Sequence, residues 1–201
     1  MLSAHLGAEA FLNGVSHYLK AHTYSNATTN DLWSALSKSS GQDVNSFMDP
    51  WVRKIGFPVV TIAEEPGQIG IRQSRFLISG DVKPADDETL WWIPLSPKSG
   101  PEFKAAEHRA LTAKEETVKI DETFYKINTD QTGFYRTNYP PERLKKLGEA
   151  RNKLSTEDRI GLVGDASALA QSGDGTTAAF LALIELFQDE RSYLYELLCW
   201  P

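Results

Sequence analysis

The chain has 201 residues, 41% hydrophobic and 24% charged, which is enough material for one or two ordinary globular cores. A formal net charge of −6 and a pI near 5.3 exclude the basic surface that nucleic-acid phosphates demand, and no apolar run approaches the roughly 20 residues of a transmembrane helix. The single cysteine, Cys199, excludes an internal disulfide framework and a thiolate metal site. With no basic-then-apolar leader at Met1 to Gly7, it sets the expectation of a reducing, cytoplasmic compartment.

The first third carries helical periodicity. Ala8, Phe11, Leu12, Val15, Tyr18, Leu19 and His22 form one apolar stripe at i, i+3, i+4, i+7 spacing. After a polar break at Asn26 to Asn30, Thr28 and Asp31 are spaced as a capping box before a helix bearing Leu32, Trp33 and Leu36, which Gly41 ends. Asp43 then caps a third helix with Val44, Phe47, Met48, Trp51, Val52 and Ile55 on one face. Pro50 interrupts that helix. The spacing predicts a restart or kink with Asp49 as N-cap and Pro50 at N1, then Gly56 at C′ and Pro58 as a stop.

From Phe57 the period falls to two. Val59–Ile62 and Ile69–Ile71 read as strands joined by Glu65-Pro66-Gly67-Gln68, a type II turn in composition. Asp81 to Glu88 is an acidic loop. Leu90 to Leu95, with Trp91 and Trp92, reads as an aromatic edge strand. Short strands are predicted at Arg109–Thr112, Thr117–Ile120, Phe124–Asn128 and Gly133–Tyr139, a spacing that points to an antiparallel sandwich. Beyond Pro140-Pro141 the pattern is helical again: Glu142 to about Arg151, Ser155 to Gln171 with Ser155 as cap and Asp158 at N3, and Thr176 to Phe187. The last helix is apolar on most sides through Phe180, Leu181, Leu183, Ile184, Leu186 and Phe187, and is expected to self-associate or to pack against the sandwich.

Candidate chemistry is thin. His17 and His22 are five apart on one helix, about 140° round its axis, and cannot share a metal as histidines four apart can. His5, His108 and Cys199 have no partners at ligand or nucleophile spacing. The acid pairs Glu64-Glu65, Asp86-Asp87-Glu88, Glu115-Glu116 and Glu157-Asp158 are expected in loops or at a helix start, solvated or capping. Gly164, Gly173 and Gly175 lack the Gly-Lys-Ser/Thr of a phosphate loop. Of Trp91 and Trp92, alternation turns one ring inward and one outward, where it packs on a neighbouring domain or helix, anchors a partner or binds a sugar. Arg136, within "TGFYRTNY", is expected buried or half-buried, tied to a carboxylate and stacked by tyrosines at the strand-to-helix join, with anion binding as the other reading.

The segment "FLNGVSHYLKAHTYSNATTNDLWSALSKSSGQDVNSFMDPWVRKIGFPVVTI", and further on "GFYRTNY" and "LSTEDRIGLVGDASALAQSG", resemble in order the M1 family of zinc aminopeptidases, of the puromycin-sensitive and fungal alanine/arginine aminopeptidase type. The resemblance implies an α+β chain in three parts. Residues 1–57 would be the last helices of a thermolysin-like catalytic domain, 58–139 an antiparallel β-sandwich, and 140–201 the start of a C-terminal α-helical array. It also implies a metallopeptidase that, when complete, uses Zn²⁺ to hydrolyse N-terminal residues from peptide substrates. The family's His-Glu-x-x-His with its downstream Glu, and its Gly-x-Met-Glu-Asn, have no counterpart in this sequence. No catalytic, cofactor-binding or metal-ligating residue is therefore assigned, and zinc is expected only in the complete enzyme. The ending "YLYELLCWP" departs from the family, as a truncated chain, a partial gene product or an alternative ending would. The expected role is a non-catalytic spacer and hinge between catalytic and helical domains. The alternative is a stand-alone sandwich that binds a protein partner, or a regulatory short form that pairs with full-length enzyme.

Overall fold

The structure, a computed structural model, describes residues 1–100, 102–105, 110–120, 124–188 and 190. His108, Cys199 and the Arg109 end of one expected strand lie outside them. Two compact units are present, Met1–Ile55 and Gly56–Pro201. Helices and small sheets are mixed, as an α+β chain requires.

The first unit is helical: α1 (Leu2–Leu6), α2 (Ala8–Ala21), α3 (Thr29–Ser40) and α4 (Val44–Arg53). The Asp31 carboxylate accepts from the Thr28 amide at 2.7 Å and the Thr28 hydroxyl at 2.8 Å, the reach-back half of a capping box. Those bonds hold the Asp31 carboxyl below its ordinary range. Gly41 ends α3 at φ 71°, and Asp43 caps α4 by accepting from the Ser46 amide at 3.2 Å.

Two expectations are corrected here. Helix α4 runs unbroken through Pro50, and Asp49, instead of capping a new turn, pairs with Arg53 one turn on at 2.6 Å. The helix ends at Arg53, so Gly56 (φ 96°) falls past the C′ position, and Pro58 opens the next strand instead of stopping the helix. The second correction concerns α2. Its only buried residue is Gly14, where an added Cβ would sit 2.8 Å from Leu36 Cδ2 and 3.0 Å from Leu36 Cα. The α2–α3 contact is closest on this small-residue side, with Ser39 Oγ donating to the Ala10 carbonyl at 2.6 Å. On the apolar stripe, Leu12 and Leu19 are 64% and 60% exposed.

In the second unit β1 (Pro58–Glu65) and β2 (Gln68–Arg75) form a hairpin across Pro66-Gly67, with Gly67 at φ 76°. Short strands follow: β3 (Ile93–Pro94), β4 (Lys98–Ser99), β5 (Lys104–Ala105), β6 (Ala110–Leu111), β7 (Glu115–Lys119), β8 (Tyr125–Lys126) and β9 (Arg136–Asn138). They make a four-stranded sheet ordered β7-β2-β1-β9, a pair β3-β6 and a three-stranded sheet β5-β4-β8. The pairing is antiparallel except β1 with β9, which is parallel (Val60 opposite Thr137), so the all-antiparallel expectation fails at that edge. Helices α5 (Pro141–Glu149), α6 (Thr156–Ser172) and α7 (Thr177–Glu185) complete the unit.

The expected strand from Leu90 to Leu95 shrinks to Ile93–Pro94 because a side chain takes the place of a partner strand at Trp91. Buried Gln73 accepts from the Trp91 amide at 2.8 Å and donates to the Trp91 carbonyl at 3.0 Å and the Ala113 carbonyl at 2.9 Å. Trp91 is 1% exposed and Trp92 half-buried, and both precede the short strand, so neither ring stands outward as strand alternation would have placed one. Leu183 and Phe187 of the last helical segment are buried, while Leu181 is exposed.

Candidate functional site: a buried ionic join

Helix α6 carries two buried acids seven residues apart, Asp158 and Asp165, hence on one face. Each grips the chain between β8 and β9. Ser155 caps the helix by accepting from the Asp158 amide at 3.1 Å, as expected. The Asp158 side chain is not solvated. Its Oδ1 lies 2.7 Å from Lys126 Nζ and accepts from the Asp130 amide at 2.7 Å, and both ionic side chains are 1% exposed. Lys126 fills its other two donor positions with the Ile127 carbonyl at 3.1 Å and the Asn128 carbonyl at 2.9 Å. Burial pushes the Lys126 ammonium pKa down against the pull of Asp158.

Asp165 does the same for β9. Oδ1 accepts from Arg136 Nη1 at 3.0 Å and Oδ2 from the Thr137 amide at 3.0 Å. An edge strand has outward amides with no strand to receive them, and this carboxylate receives one. Full burial raises the Asp165 carboxyl to about 6, although Thr137 and Arg136 oppose the shift. Arg136 is half-buried and tied to a carboxylate, as expected, but the ring beneath its guanidinium is Phe76, 5.7 Å away, not a tyrosine. The stacked tyrosine belongs to another arginine: buried Arg143 lies 4.1 Å from the Tyr125 ring.

The segment between these anchors is held in costly backbone. Asn128, Asp130 and Gln131 have φ of 53°, 56° and 51°. Asn128 offsets that cost as a hub. Its Oδ1 accepts from the Gly133 amide at 2.8 Å, and its Nδ2 donates to Gln131 Oε1 at 2.9 Å. Tyr139 closes the far side, its hydroxyl donating to the Ile127 carbonyl at 3.1 Å and accepting from the Ile127 amide at 2.9 Å. Burial raises the Tyr135 and Tyr139 phenols well above their ordinary value, so both remain neutral donors. A third acid, Glu64 of β1, accepts from Tyr125 at 2.6 Å and from Arg143 Nε at 2.5 Å. Burial acts to raise Glu64, and the bonds from Arg143 and Tyr125 outweigh it, leaving the carboxyl below its ordinary range.

The acid pairs thus depart from the expectation of loops or a helix start: Glu64 and Glu65 end β1 and Glu115 and Glu116 open β7, Asp158 is buried, and Asp87 accepts from the Arg75 amide at 2.8 Å while pairing with Lys114 at 2.6 Å. Glu65 accepts from Gln68 at 2.6 Å, Glu115 pairs with Arg72 at 3.4 Å, and Glu157 is exposed. Among the described residues the histidines do not meet. His5 bonds Gln42 at 2.7 Å, His17 is exposed on α2, and His22 caps that helix with its ring 5.3 Å from Tyr18. A cleft of 420 Å³ beside Arg136 and Asp165 is lined by Phe57, Phe134 and Ile160, with no serine, histidine or cysteine on its wall. Among the described residues no group of three or more His, Cys, Asp or Glu side chains gathers to hold a metal, so the described residues do not fit zinc. Among them, too, no helix is long and apolar enough to cross a membrane.

Two domain families match the sequence: the Peptidase family M1 domain over residues 1–51 and the ERAP1-like C-terminal domain over residues 124–195. Aminopeptidase 2 of Candida albicans is 45% identical over 199 residues, covering 96% of this chain and 21% of that protein. The alanine/arginine aminopeptidase of Saccharomyces cerevisiae is 43% identical over 195 residues, 96% of this chain and 22% of its own length. "Aminopeptidase 2, mitochondrial" of Saccharomyces cerevisiae is 42% identical over 198 residues, 96% of this chain and 20% of that protein. By these matches the chain belongs to the M1 peptidase family, and it spans about a fifth of the length of the curated relatives it matches.

Proposed function

We propose that this chain is a non-catalytic stretch of a zinc aminopeptidase that, when complete, removes N-terminal residues from peptides, and that it serves there as a stiff spacer. One observation carries the reading: a peptidase-domain match at one end and a C-terminal-domain match at the other, with strands β1 to β7 between them. The three-part division at residues 57 and 139, with a sandwich in the middle, belongs to this proposal. The buried pairs of Lys126 with Asp158 and Arg136 with Asp165 tie sheet to helix within one compact unit, which favours a spacer over a hinge at that join. Zinc chemistry would reside elsewhere in the complete enzyme.

The test is an aminoacyl chromogenic amide assay on the 201-residue chain, with and without added zinc. No turnover above blank is expected, and chelator-sensitive turnover would refute the reading. Cytoplasmic placement rests on the scarcity of cysteine; accumulation of a fluorescent fusion in mitochondria would overturn it. Self-association through residues 176–187, where Leu181 stands exposed, would appear as a mass that rises with concentration in light scattering. Among the described residues the stand-alone binding module gains no support from a fully exposed tryptophan. Trp33, Trp51 and Trp92 are half-buried and Trp91 fully so.

A further inference from the structure

The cleft beside β9 and the start of α6 carries a charge that the fold leaves uncompensated. Phe57, Phe134, Tyr135 and Ile160 wall its 420 Å³, and three charged side chains border it. Two of them cancel: Arg136 Nη1 lies 3.0 Å from Asp165 Oδ1. The third, Glu157, is exposed in the first turn of α6 and makes no ion pair with any described residue. A free carboxylate thus stands beside aromatic rings.

Those rings already hold one guanidinium on their inner side. Phe57 contacts two others, with centroids 5.3 Å from Phe76 and 5.2 Å from Phe134. The Arg136 guanidinium lies over the Phe76 ring at 5.7 Å, attracted by the negative face of the ring. At the other end of the row Phe134 is 63% exposed and tilted 50° to Phe57, which makes a corner and not a flat stack.

We propose that this cleft receives an arginine side chain of a partner polypeptide, its guanidinium stacked on Phe134 and its charge met by Glu157. Aromatic walls with one free carboxylate complement a cation and repel an anion. A planar guanidinium stacks on a ring while its edge donates to a carboxylate, and its apolar stem would lie against Phe57 and Ile160. The cleft is of the size that holds a bound group. The net charge of −6 draws a basic segment toward the chain at long range.

The probe is the peptide acetyl-Gly-Arg-Gly-amide, titrated into the isotopically labelled 201-residue chain and followed by amide shifts in nuclear magnetic resonance. Saturable shifts are expected at Gly133, Phe134 and Gly161, which border the cleft. Phe134→Ala should weaken binding about tenfold and Glu157→Gln about threefold. Glu142→Gln, at an exposed acid in the first turn of α5 away from the cleft, should leave it unchanged. Phe134 and Glu157 are both exposed, so each variant keeps the wild-type circular dichroism, which is the control for folding. The same peptide with citrulline for arginine should not bind. Shifts elsewhere on the chain, or none, would overturn the proposal. So would equal binding of the citrulline peptide, or tighter binding of a glutamate peptide, which would make Arg136 the recognising group.

Discussion

Replacing Lys126 by Met tests whether the buried ionic join is the mainstay of the second unit. The substitution keeps most of the apolar stem and removes the ammonium. The two carbonyls it served each retain a donor: Tyr139 still bonds the Ile127 carbonyl and the Gln131 amide still bonds that of Asn128. The loss therefore concentrates on Asp158, left as a carboxylate at 1% exposure with only the Asp130 amide. Breaking a buried pair from one side costs about 3–5 kcal/mol, a large share of the roughly 5–15 kcal/mol that holds a domain together. Asp158→Asn keeps an acceptor for the Asp130 amide while stranding the ammonium, and should cost a similar amount. The double variant strands neither charge. Its cost should fall short of the sum by at least about 2 kcal/mol. Urea unfolding followed by tryptophan fluorescence gives the global cost, and hydrogen exchange at the Asp130 amide gives the local one. A Lys126→Met cost below about 1 kcal/mol, or additive single and double variants, would refute the reasoning.

Three further outcomes follow from particular contacts. A Cβ at Gly161 would lie 1.8 Å from Gln131 Nε2 and 2.2 Å from its Cγ, so Gly161→Ala should lower stability by about 1 kcal/mol through the lost Asn128–Gln131 bond. In a Gln131→Ala background the same change should stabilise α6 by up to about 1 kcal/mol, the helix preference of Ala over Gly; a loss in both backgrounds would show that Gln131 is not the obstacle. Asp165 is raised in the folded state from the ordinary 3.8 to about 6, so its contribution is fully present below 3.8 and lost as pH rises through 6. The stability of the wild-type chain minus that of Asp165→Asn should thus fall by roughly 3 kcal/mol across that window, and a difference that rises with pH would reverse the assignment. Pro50→Ala restores an amide for the Ser46 carbonyl inside α4 and should raise the melting temperature of the first unit through a gain of about 2 kcal/mol, once the proline's restraint on the unfolded chain is allowed for.

Local signals in the sequence were read well where one or two residues settle the outcome. Thr28 with Asp31, Asp43, Gly41 and Ser155 each act at the helix end where they were expected. The errors lie where a distant partner decides. Nothing within residues 90–95 reveals that a glutamine of β2 will supply the bonds of an absent strand. Pro50 argued for a restart or a kink, yet α4 continues through it, with Val44, Phe47 and Met48 buried on its N-terminal side. The α2 stripe was legible as a stripe, but periodicity alone cannot say whether its partner belongs to the same unit. The buried charges do carry a signal in the sequence. Asp158 and Asp165 fall in phase with Leu162 and Leu169 on α6, and an acid in phase with a helix's apolar face is a buried acid that needs a cation. Lys126, set among Phe124, Tyr125 and Ile127, was the matching anomaly in a strand.

That pairing bears on why the join is ionic when apolar side chains fill space as well. A buried ion pair is a poor source of net stability, because desolvation consumes most of the attraction. What it supplies here is position. Leucines on α6 could slide by a few ångströms against a loop and keep their contact, whereas a carboxylate that receives both Lys126 Nζ and the Asp130 amide has one placement. The same holds one heptad on, where Asp165 receives Arg136 and the Thr137 amide together. Two such fixed points, seven residues apart on a helix, set both the position and the direction of α6 against β9 and, through the parallel β1–β9 pairing, against the four-stranded sheet. The left-handed residues between them are tolerable for the same reason: backbone strain at Asn128, Asp130 and Gln131 persists only where its surroundings leave no alternative. Within this unit the costly groups stand where the orientation of helix against sheet is decided.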